Sequence, residues 1–453
     1  MSIVTLQIGQ CGNQIGGELF STILEDAFGK ASTVSKADNE AYIDEVLERF
    51  FHRPDSGKRN EVIPRARAVM VDMEPKAIAQ SMLDAKKSGR WVYPKGQQFC
   101  QKRGSGNNWA HGYCKHGPQA QEAVMDMVQR EAEKCDRMSG FLVFMSLAGG
   151  TGSGVGAYIT ECLRDHFPHS FITNQVVAPY NTGEVIVQNY NALLTLSHLY
   201  QSSDALLILE NDQVHKICMQ LLGIKNISFR DINKVIAHKL ASVLQPVKPI
   251  GSNFPSYMHS NHISDMLTSI VPHPEYKLLT MKNIPQMSER SIAYSTFTWS
   301  GLLKHLRQML IANAAMEEGI DWQVKVKSST SHSSAIQHNK SIANLLLLRG
   351  KDVNTANVDG FQESCLYAPW VPSDAVCSVW ATPRPFNLYE KSATLLSNSQ
   401  SPIAALNTVV GKAWNMFASR AYVHQYIRYG LAEEDFVDSF AGLEQVIKSY
   451  SEL

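Results

Sequence analysis

The chain has no apolar run long enough for a membrane span. Runs such as "LLIL" (206–209) and "LLLL" (345–348) are strand-sized, against the roughly 20 residues a spanning helix needs. It carries no net charge, because Lys plus Arg and Asp plus Glu both total 42. That excludes a general nucleic-acid binder and a polybasic membrane-surface protein, while leaving room for local patches. It has no CxxC pair. Its eight cysteines are scattered at 11, 100, 114, 135, 162, 218, 365 and 377, the pattern of reduced thiols in a cytosolic compartment. "MSIVTLQIGQCG" lacks the basic start and apolar core of a secretory leader, so none is expected. What remains is an ordinary globular balance, 44% apolar and 19% charged. At about 150 residues per domain, 453 residues suit two or three domains.

Strands and helices alternate along the first half. "SIVTLQI" (2–8) reads as a strand, "GQCGN" (9–13) as a turn and "QIGGELFSTILEDAF" (14–28) as a helix. "ARAVMVDMEP" (66–75), "SGFLVFMSL" (139–147), "SFITNQVVAPY" (170–180) and "SDALLILEND" (203–212) supply further strands, with a helix near 187–200. The polar stretch 29–66 reads as a surface excursion, partly helical around 39–51. This alternation predicts an α/β fold with a parallel sheet covered on both sides. "FRDINKVIAHKLASVL" (229–244) is a helix with one apolar stripe. A Pro/Gly/Ser-rich segment (245–256) follows and marks a boundary. The predicted organisation is a parallel-sheet nucleotide-binding domain over 1–250, an intermediate α+β domain over 251–380 and C-terminal helices over 381–453. The closing helices are expected at 402–430 and 432–450, and a mobile Ser/His-rich loop at 325–340.

One further absence directs the functional reading. "MSLAGGTGSGVGAYITECL" (145–163) is rich in glycine and has no lysine. A phosphate loop of the G-x-x-x-x-G-K-[ST] kind uses its lysine as countercharge, so that chemistry is excluded. A dinucleotide pattern, Gly152 to Ala157, is present, but the next strand lacks the acid that holds a ribose hydroxyl. Glycines alone can also serve a tight strand-to-helix turn. The remaining way to hold phosphate is with backbone amides: Gly149, Gly150, Gly152 and Gly154 permit close approach, a helix starting near Ser153 offers its N–H groups, and Thr151 and Ser153 add hydroxyls. Countercharge then comes from Mg²⁺ held by oxygens. "VDMEP" offers Asp72 and Glu74 at a strand's carboxyl end, and Gln10 follows the first strand. "HGYCKHG" brings His111, Cys114 and His116 together, as a metal site or as loop contacts.

"GQCGNQIG" (9–16), "DMEP" (72–75), "GSGNNWA" (104–110) and "AGGTGSG" (148–154), in this order and spacing, resemble the nucleotide-binding loops of the tubulin family. The resemblance covers nearly the whole chain, including "VPHP" (271–274), and is weakest at 29–66 and 325–340. It implies GTP or GDP with Mg²⁺ as cofactors. Gln10 and Cys11 would lie under the nucleotide, and Glu74, with Asp72 beside it, would act on Mg²⁺. Asn107 and Asn108 would approach the outer phosphates, and Ser146 with Gly149, Gly150, Thr151, Gly152, Ser153 and Gly154 would cradle them. Glu184 falls at the ribose position, Asn211 and Asn233 at the guanine edge, and Phe229 where the family commonly stacks a tyrosine on the base. Ala148 and Gln188 depart from the family's usual glycine and glutamate.

In the family GTP is hydrolysed between subunits, with an acid from the following subunit. Counting back from "VPHP", Asp265 falls there as the catalytic candidate; its other reading is a helix-start acid favoured by the dipole. Length, the divergent middle domain and the abrupt end are most similar to the delta branch of the family. That implies centrioles or centrosomes, basal bodies and the cilium base rather than bulk microtubules. Expected partners are other tubulins through longitudinal contacts, and centriolar or ciliary proteins, without nucleic acid or membrane insertion. "VIKSYSEL" carries no acidic run, so partners recruited by acidic tails are not expected. Two other readings remain open: a nucleotide-binding scaffold that never polymerises, and a dinucleotide-dependent α/β enzyme.

Overall fold

A computed structural model describes residues 1–29, 33–52, 63–183, 185–250, 261–292, 294–326, 338–372 and 376–453. They form two compact units. One comprises Met1–Ser21, Val46–Asp212 and Ile403–Ser449; the other comprises Thr22–Glu45, Gln213–Pro402 and Tyr450–Leu453. Among the described residues no helix is long and apolar enough to cross a membrane.

The first unit is built on six parallel strands, β1 (Ser2–Ile8), β2 (Ala68–Asp72), β3 (Gln98–Cys100), β4 (Met138–Ser146), β5 (Ile172–Ala178) and β6 (Ala205–Glu210), in the order β3-β2-β1-β4-β5-β6. Leu6 of β1 pairs with Val69 on one side and Val143 on the other. Every residue of β1 and β5 is buried, as strands covered on both faces require. Helices α1 (Gly9–Ala27), α2 (Lys36–Phe50), α3 (Pro75–Ser88), α4 (Gly117–Glu133), α5 (Gly156–His166) and α6 (Gln188–Ser202) alternate with these strands in the chain, α1 from Thr22 onward and α2 up to Glu45 counting with the second unit. Strand order reverses between β1 and β4. The loops after those two strands therefore open on the crevice where α/β sheets bind ligands.

Two local expectations change. "GQCGN" is not a turn before the helix but its first turn, because Gly9 (φ +74°) reverses the chain in one residue. The stretch 402–430 is not one helix. α10 (Ile403–Ala418) ends before Arg420 and Tyr422, both in the left-handed region (φ 53° and 61°), and a short helix Val423–Ile427 precedes α11 (Glu433–Ser451). Residues 327–337, the core of the expected Ser/His-rich loop, lie outside the described residues.

The second unit carries α7 (Phe229–Leu244), α8 (His262–Ile270), β7 (Leu278–Ile284), α9 (Trp299–Ile311), β8 (Ser341–Gly350), β9 (Cys377–Thr382) and β10 (Lys391–Ser399). β7 and β8 flank β10 antiparallel, and β9 runs parallel to β8. α9 buries Trp299, Leu302, Leu306 and Leu310 against Leu346, Leu348 and Leu395. β10 was not legible as a strand: Ser392, Thr394, Ser397 and Asn398 are all buried. Arg349, also buried, donates to the carbonyls of Ser242 (3.2 Å), Gln245 (2.7 Å) and Pro246 (2.9 Å). Its fork satisfies carbonyls that the end of α7 leaves without helical partners.

Candidate functional site

In the first unit the candidate residues converge on the carboxyl ends of β1, β2 and β4. A Cβ on Gly9 would stand 2.8 Å from the amide nitrogen of Gly152, so the loops after β1 and β4 touch backbone to backbone. Gln10, exposed, and Cys11, half-buried, begin α1 beside this contact. Burial pushes the Cys11 thiol up to about 12, so it is a neutral packing group and not a thiolate.

Asp72 ends β2, buried, with an oxygen 3.2 Å from the Glu74 backbone N–H. Burial raises its carboxyl to about 6 against that hydrogen bond. Glu74 is exposed and stands at the cap position of α3, with Pro75 opening the helix. A Cβ on Gly104 would meet Glu74 Oε1 at 2.5 Å, so the loop 104–108 lies directly over this acid.

Asn107 is exposed in the left-handed conformation (φ 53°). Asn108 is buried; its Oδ1 accepts from the His111 N–H at 3.0 Å and so caps the helical turn that follows. The two asparagines differ: Asn107 is exposed beside Gly149, and Asn108 holds the loop. Ser146 ends β4 half-buried. The expected helix start near Ser153 is a wide turn over Thr151–Val155 leading into α5. Ser153 is fully buried and its hydroxyl donates to the Gly149 carbonyl, so it shapes the loop from within. Thr151 Oγ1 lies 3.2 Å from Ser105 Oγ.

The glycines also divide. A Cβ on Gly150 would sit 2.7 Å from Ser105 Cβ and 2.8 Å from the backbone of Asn108, and one on Gly152 would be 3.1 Å from Ser146 N. Gly154 and Gly156 abut Trp109 and Met145 in the same way. Gly149 alone of the five would seat a Cβ without a clash, Asn107 Oδ1 being nearest in ordinary contact at 3.8 Å. Four of the five glycines let elements pack closely, and Gly149 does not. A glycine backbone of this kind can take a small anion on its amides, and Glu74 under the loop 104–108 offers oxygens of the kind a divalent cation takes as countercharge.

Asn211 is half-buried at the end of β6, where Asp212 Oδ2 accepts from the Asn181 N–H at 2.9 Å. Gln188 is buried and donates to the Tyr180 carbonyl at 2.8 Å, bracing the loop between β5 and α6. Glu184 lies outside the described residues. His111 stacks on Tyr429 (4.3 Å, 12°), and His116 Nδ1 is 2.8 Å from Gln101 Oε1. Among the described residues no group of three or more His, Cys, Asp or Glu is arranged to hold a metal ion.

In the second unit, Phe229 opens α7 and is 66% exposed. Ser228 and Asp231 form a reciprocal capping box around it, and Asn233 is buried one turn on. Asp265 is in the first turn of α8, which Asn261 caps. It is half-buried, and desolvation raises its carboxyl above the usual range.

Sequence reasoning passed over Asn191 and Tyr426. Asn191 is fully buried within α6 and accepts from the Tyr426 hydroxyl at 2.6 Å. The available signal was an asparagine inside the apolar helix "YNALLTL", where its helix propensity is poor.

Residues 2–219 match the Tubulin/FtsZ family, GTPase domain. The chain is 55% identical to the tubulin delta chain of Macaca fascicularis and 54% identical to that of Mus musculus, in both cases over 100% of each chain. It is 27% identical to the tubulin beta-2 chain of Emericella nidulans, over 99% of this chain and 94% of that one.

Proposed function

We infer the function from one premise: this chain belongs to the tubulin family, with delta chains among its relatives. It is a GTP-binding cytoskeletal protein of that superfamily. Within that class its proposed task is centriole, basal-body and cilium assembly rather than bulk microtubules, through longitudinal contacts with other tubulins.

The observation that carries the site reading is the position of Gly149, free of any close packing with Asn107 Oδ1 nearest at 3.8 Å, beside the loop 104–108 that lies over Glu74. The phosphates are proposed to rest on the amides of 149–151, with Asn107 against the outermost. Mg²⁺, when bound, supplies the countercharge that a lysine supplies elsewhere; it keeps most of its waters and needs only one or two carboxylates. Glu74 is its proposed ligand, directly or through water, with Asp72 behind. Gln10 and Cys11 lie under the nucleotide, Glu184 takes the ribose, Asn211 and Asn233 read the guanine edge, and Phe229 covers the base with its exposed ring. Asp265 is proposed to act on the neighbouring subunit's site, orienting the attacking water and accepting its proton. Burial helps here, because a carboxyl of raised pKa is a stronger base.

The test is the nucleotide released from purified, denatured protein prepared with and without Mg²⁺. About one guanine nucleotide per chain, lost on magnesium removal, supports the reading; a dinucleotide or an empty site overturns it. GTP turnover that rises with protein concentration supports catalysis between subunits, and turnover independent of concentration returns the protein to a non-polymerising scaffold.

A further inference from the structure

The side chain of Asn191 has four hydrogen-bonding positions, and all four are filled. Nδ2 donates to the carbonyls of Asn107 at 2.8 Å and Ala148 at 2.7 Å. Oδ1 accepts from the Trp109 N–H at 3.0 Å and the Tyr426 hydroxyl at 2.6 Å. Two carbonyls on one side and two donors on the other admit only this orientation of the amide. Three of the ties reach the loops that bracket Gly149. The fourth reaches the short helix between α10 and α11.

The bond to Ala148 has a direct consequence. In a trans peptide the C=O and the following N–H point in opposite directions. Holding the Ala148 carbonyl toward Asn191 therefore turns the Gly149 N–H away from it. A site without a lysine depends on where its backbone N–H groups point, and one buried amide sets that direction here.

The C-terminal segment is held to the same region by other contacts. The rings of Tyr190, Tyr426 and Phe436 pack with centroids 5.1 to 5.5 Å apart. The Tyr190 hydroxyl donates to the Ala421 carbonyl at 3.0 Å, and Lys412 Nζ to the Asn181 carbonyl at 2.9 Å. The segment also meets the first loop directly, Asn108 Nδ2 donating to the Gln425 carbonyl at 3.5 Å and His111 stacking on Tyr429, but among the described residues of this segment Tyr426 is the one bonded to the Asn191 amide.

We propose that Asn191 is a positioning residue of the nucleotide site and that Tyr426 couples it to the C-terminal helices, so that nucleotide binding and the seating of residues 419–431 stabilise each other. This rests on the reading that the loops 104–108 and 147–155 hold the phosphates. Linkage makes the coupling reciprocal: a partner that shifts this helical segment changes nucleotide retention, and nucleotide changes the segment.

The experiment uses the full chain and three variants. Tyr426→Phe keeps the ring and deletes the hydroxyl, with its bond to Asn191 and its longer, 3.5 Å one to the Val187 carbonyl. Asn191→Asp keeps the shape and presents an acceptor to two carbonyls. Tyr190→Phe loosens the same segment at Ala421 and leaves the Asn191 amide alone. Release of a fluorescent GDP analogue and deuterium exchange over 419–431, with and without GDP, are measured. Expected is release about three- to tenfold faster in Tyr426→Phe and Asn191→Asp, with GDP-dependent protection of 419–431 lost. Tyr190→Phe should lower the unfolding temperature and release nucleotide at the wild-type rate. Should Asn191→Asp fail to fold, Tyr426→Phe carries the test. Wild-type release in Tyr426→Phe, or equal acceleration in Tyr190→Phe, would overturn the inference while leaving the site reading intact. Wild-type protein that retains no guanine nucleotide would overturn the site reading, and the inference with it, before any variant is made.

Discussion

Arg384 and Asp26 stand 358 positions apart and form a buried ion pair, Nη1 to Oδ2 at 3.1 Å, with side chains 5% and 1% exposed. Neither charge depends on the other alone. Asp26 also accepts from Tyr42 (2.8 Å), Gln245 (3.1 Å) and the Asn387 N–H (2.8 Å), while Arg384 donates to the Ala27 carbonyl (3.2 Å) and to Asn39 (3.1 Å). The network ties α1 and α2 to residues 384–387 within the second unit. A buried pair is no guarantee of net stability, but removing one partner strands the other charge. Asp26→Asn is expected to cost about 3–5 kcal/mol, read as a lower urea midpoint. A loss below about 1 kcal/mol would mean that water reaches the guanidinium.

Gly149 and Gly150 should respond oppositely to alanine. Gly150→Ala forces a Cβ to within 2.8 Å of the Asn108 backbone. It should destabilise the protein by about 1–3 kcal/mol and part the loops. Gly149→Ala meets only Asn107 Oδ1, in ordinary contact at 3.8 Å, so it should unfold like the wild type and still lose bound nucleotide. Nucleotide content and thermal unfolding, measured together, check both. Full retention in Gly149→Ala would remove the phosphates from that position.

Asp265→Asn should slow GTP turnover in longitudinal assemblies and leave nucleotide content at the wild-type level. Asn keeps the size and the helix position but cannot accept the proton. Unchanged turnover would assign Asp265 to the start of α8 alone. A wild-type rate that rises with pH through the acid range and a flat profile in the variant would identify its carboxylate as the base.

Stability should fall as acid is added, through His238. Its ring packs on Phe386 and Tyr389, and Nδ1 lies 2.9 Å from the Asn387 amide. Burial, reinforced by Lys239, lowers its pKa from 6.5 to about 4. Above 6.5 the ring is neutral in both states and costs nothing. Between 6.5 and 4 the unfolded chain takes up the proton and the folded one does not, so stability drops by about 1.4 kcal/mol per pH unit. Unfolding at pH 6.5 and pH 5 should differ by about 2 kcal/mol from this residue, and His238→Gln should remove that share. An unaltered pH slope in the variant would show that the native ring takes the proton.

Much of the first unit was legible because its signals are local. Unbroken apolar strands ending in Gly-rich or acidic turns give β1, β2 and β4 and the loops that follow them, and φ +74° at Gly9 needs glycine wherever the chain goes next. β10 was hidden for the opposite reason. Thr and Asn are residue types usually found at the surface, yet Thr394 and Asn398 are buried, Asn398 donating to the carbonyls of Ile270 (3.0 Å) and Tyr276 (2.7 Å). A polar side chain can be buried when distant groups meet its hydrogen bonds, and a sequence does not display them.

By itself, then, the order of residues determined the α/β class, the lysine-free glycine loop, the acid pair at Asp72 and Glu74, and the family resemblance. These depend on neighbours in the chain and on short-range sterics. Only the tertiary structure decided which glycines pack and which one does not, that Ser153 and Asn108 serve the loop from inside, and that Asn191 orients two loops against Tyr426. The bonds of Ser153 and Asn108 are local, to Gly149 and His111, while a contact such as Gly150 on Ser105 or Asn191 on Tyr426 joins groups dozens to hundreds of residues apart. The energy of such a contact exists only once folding has brought both partners out of water.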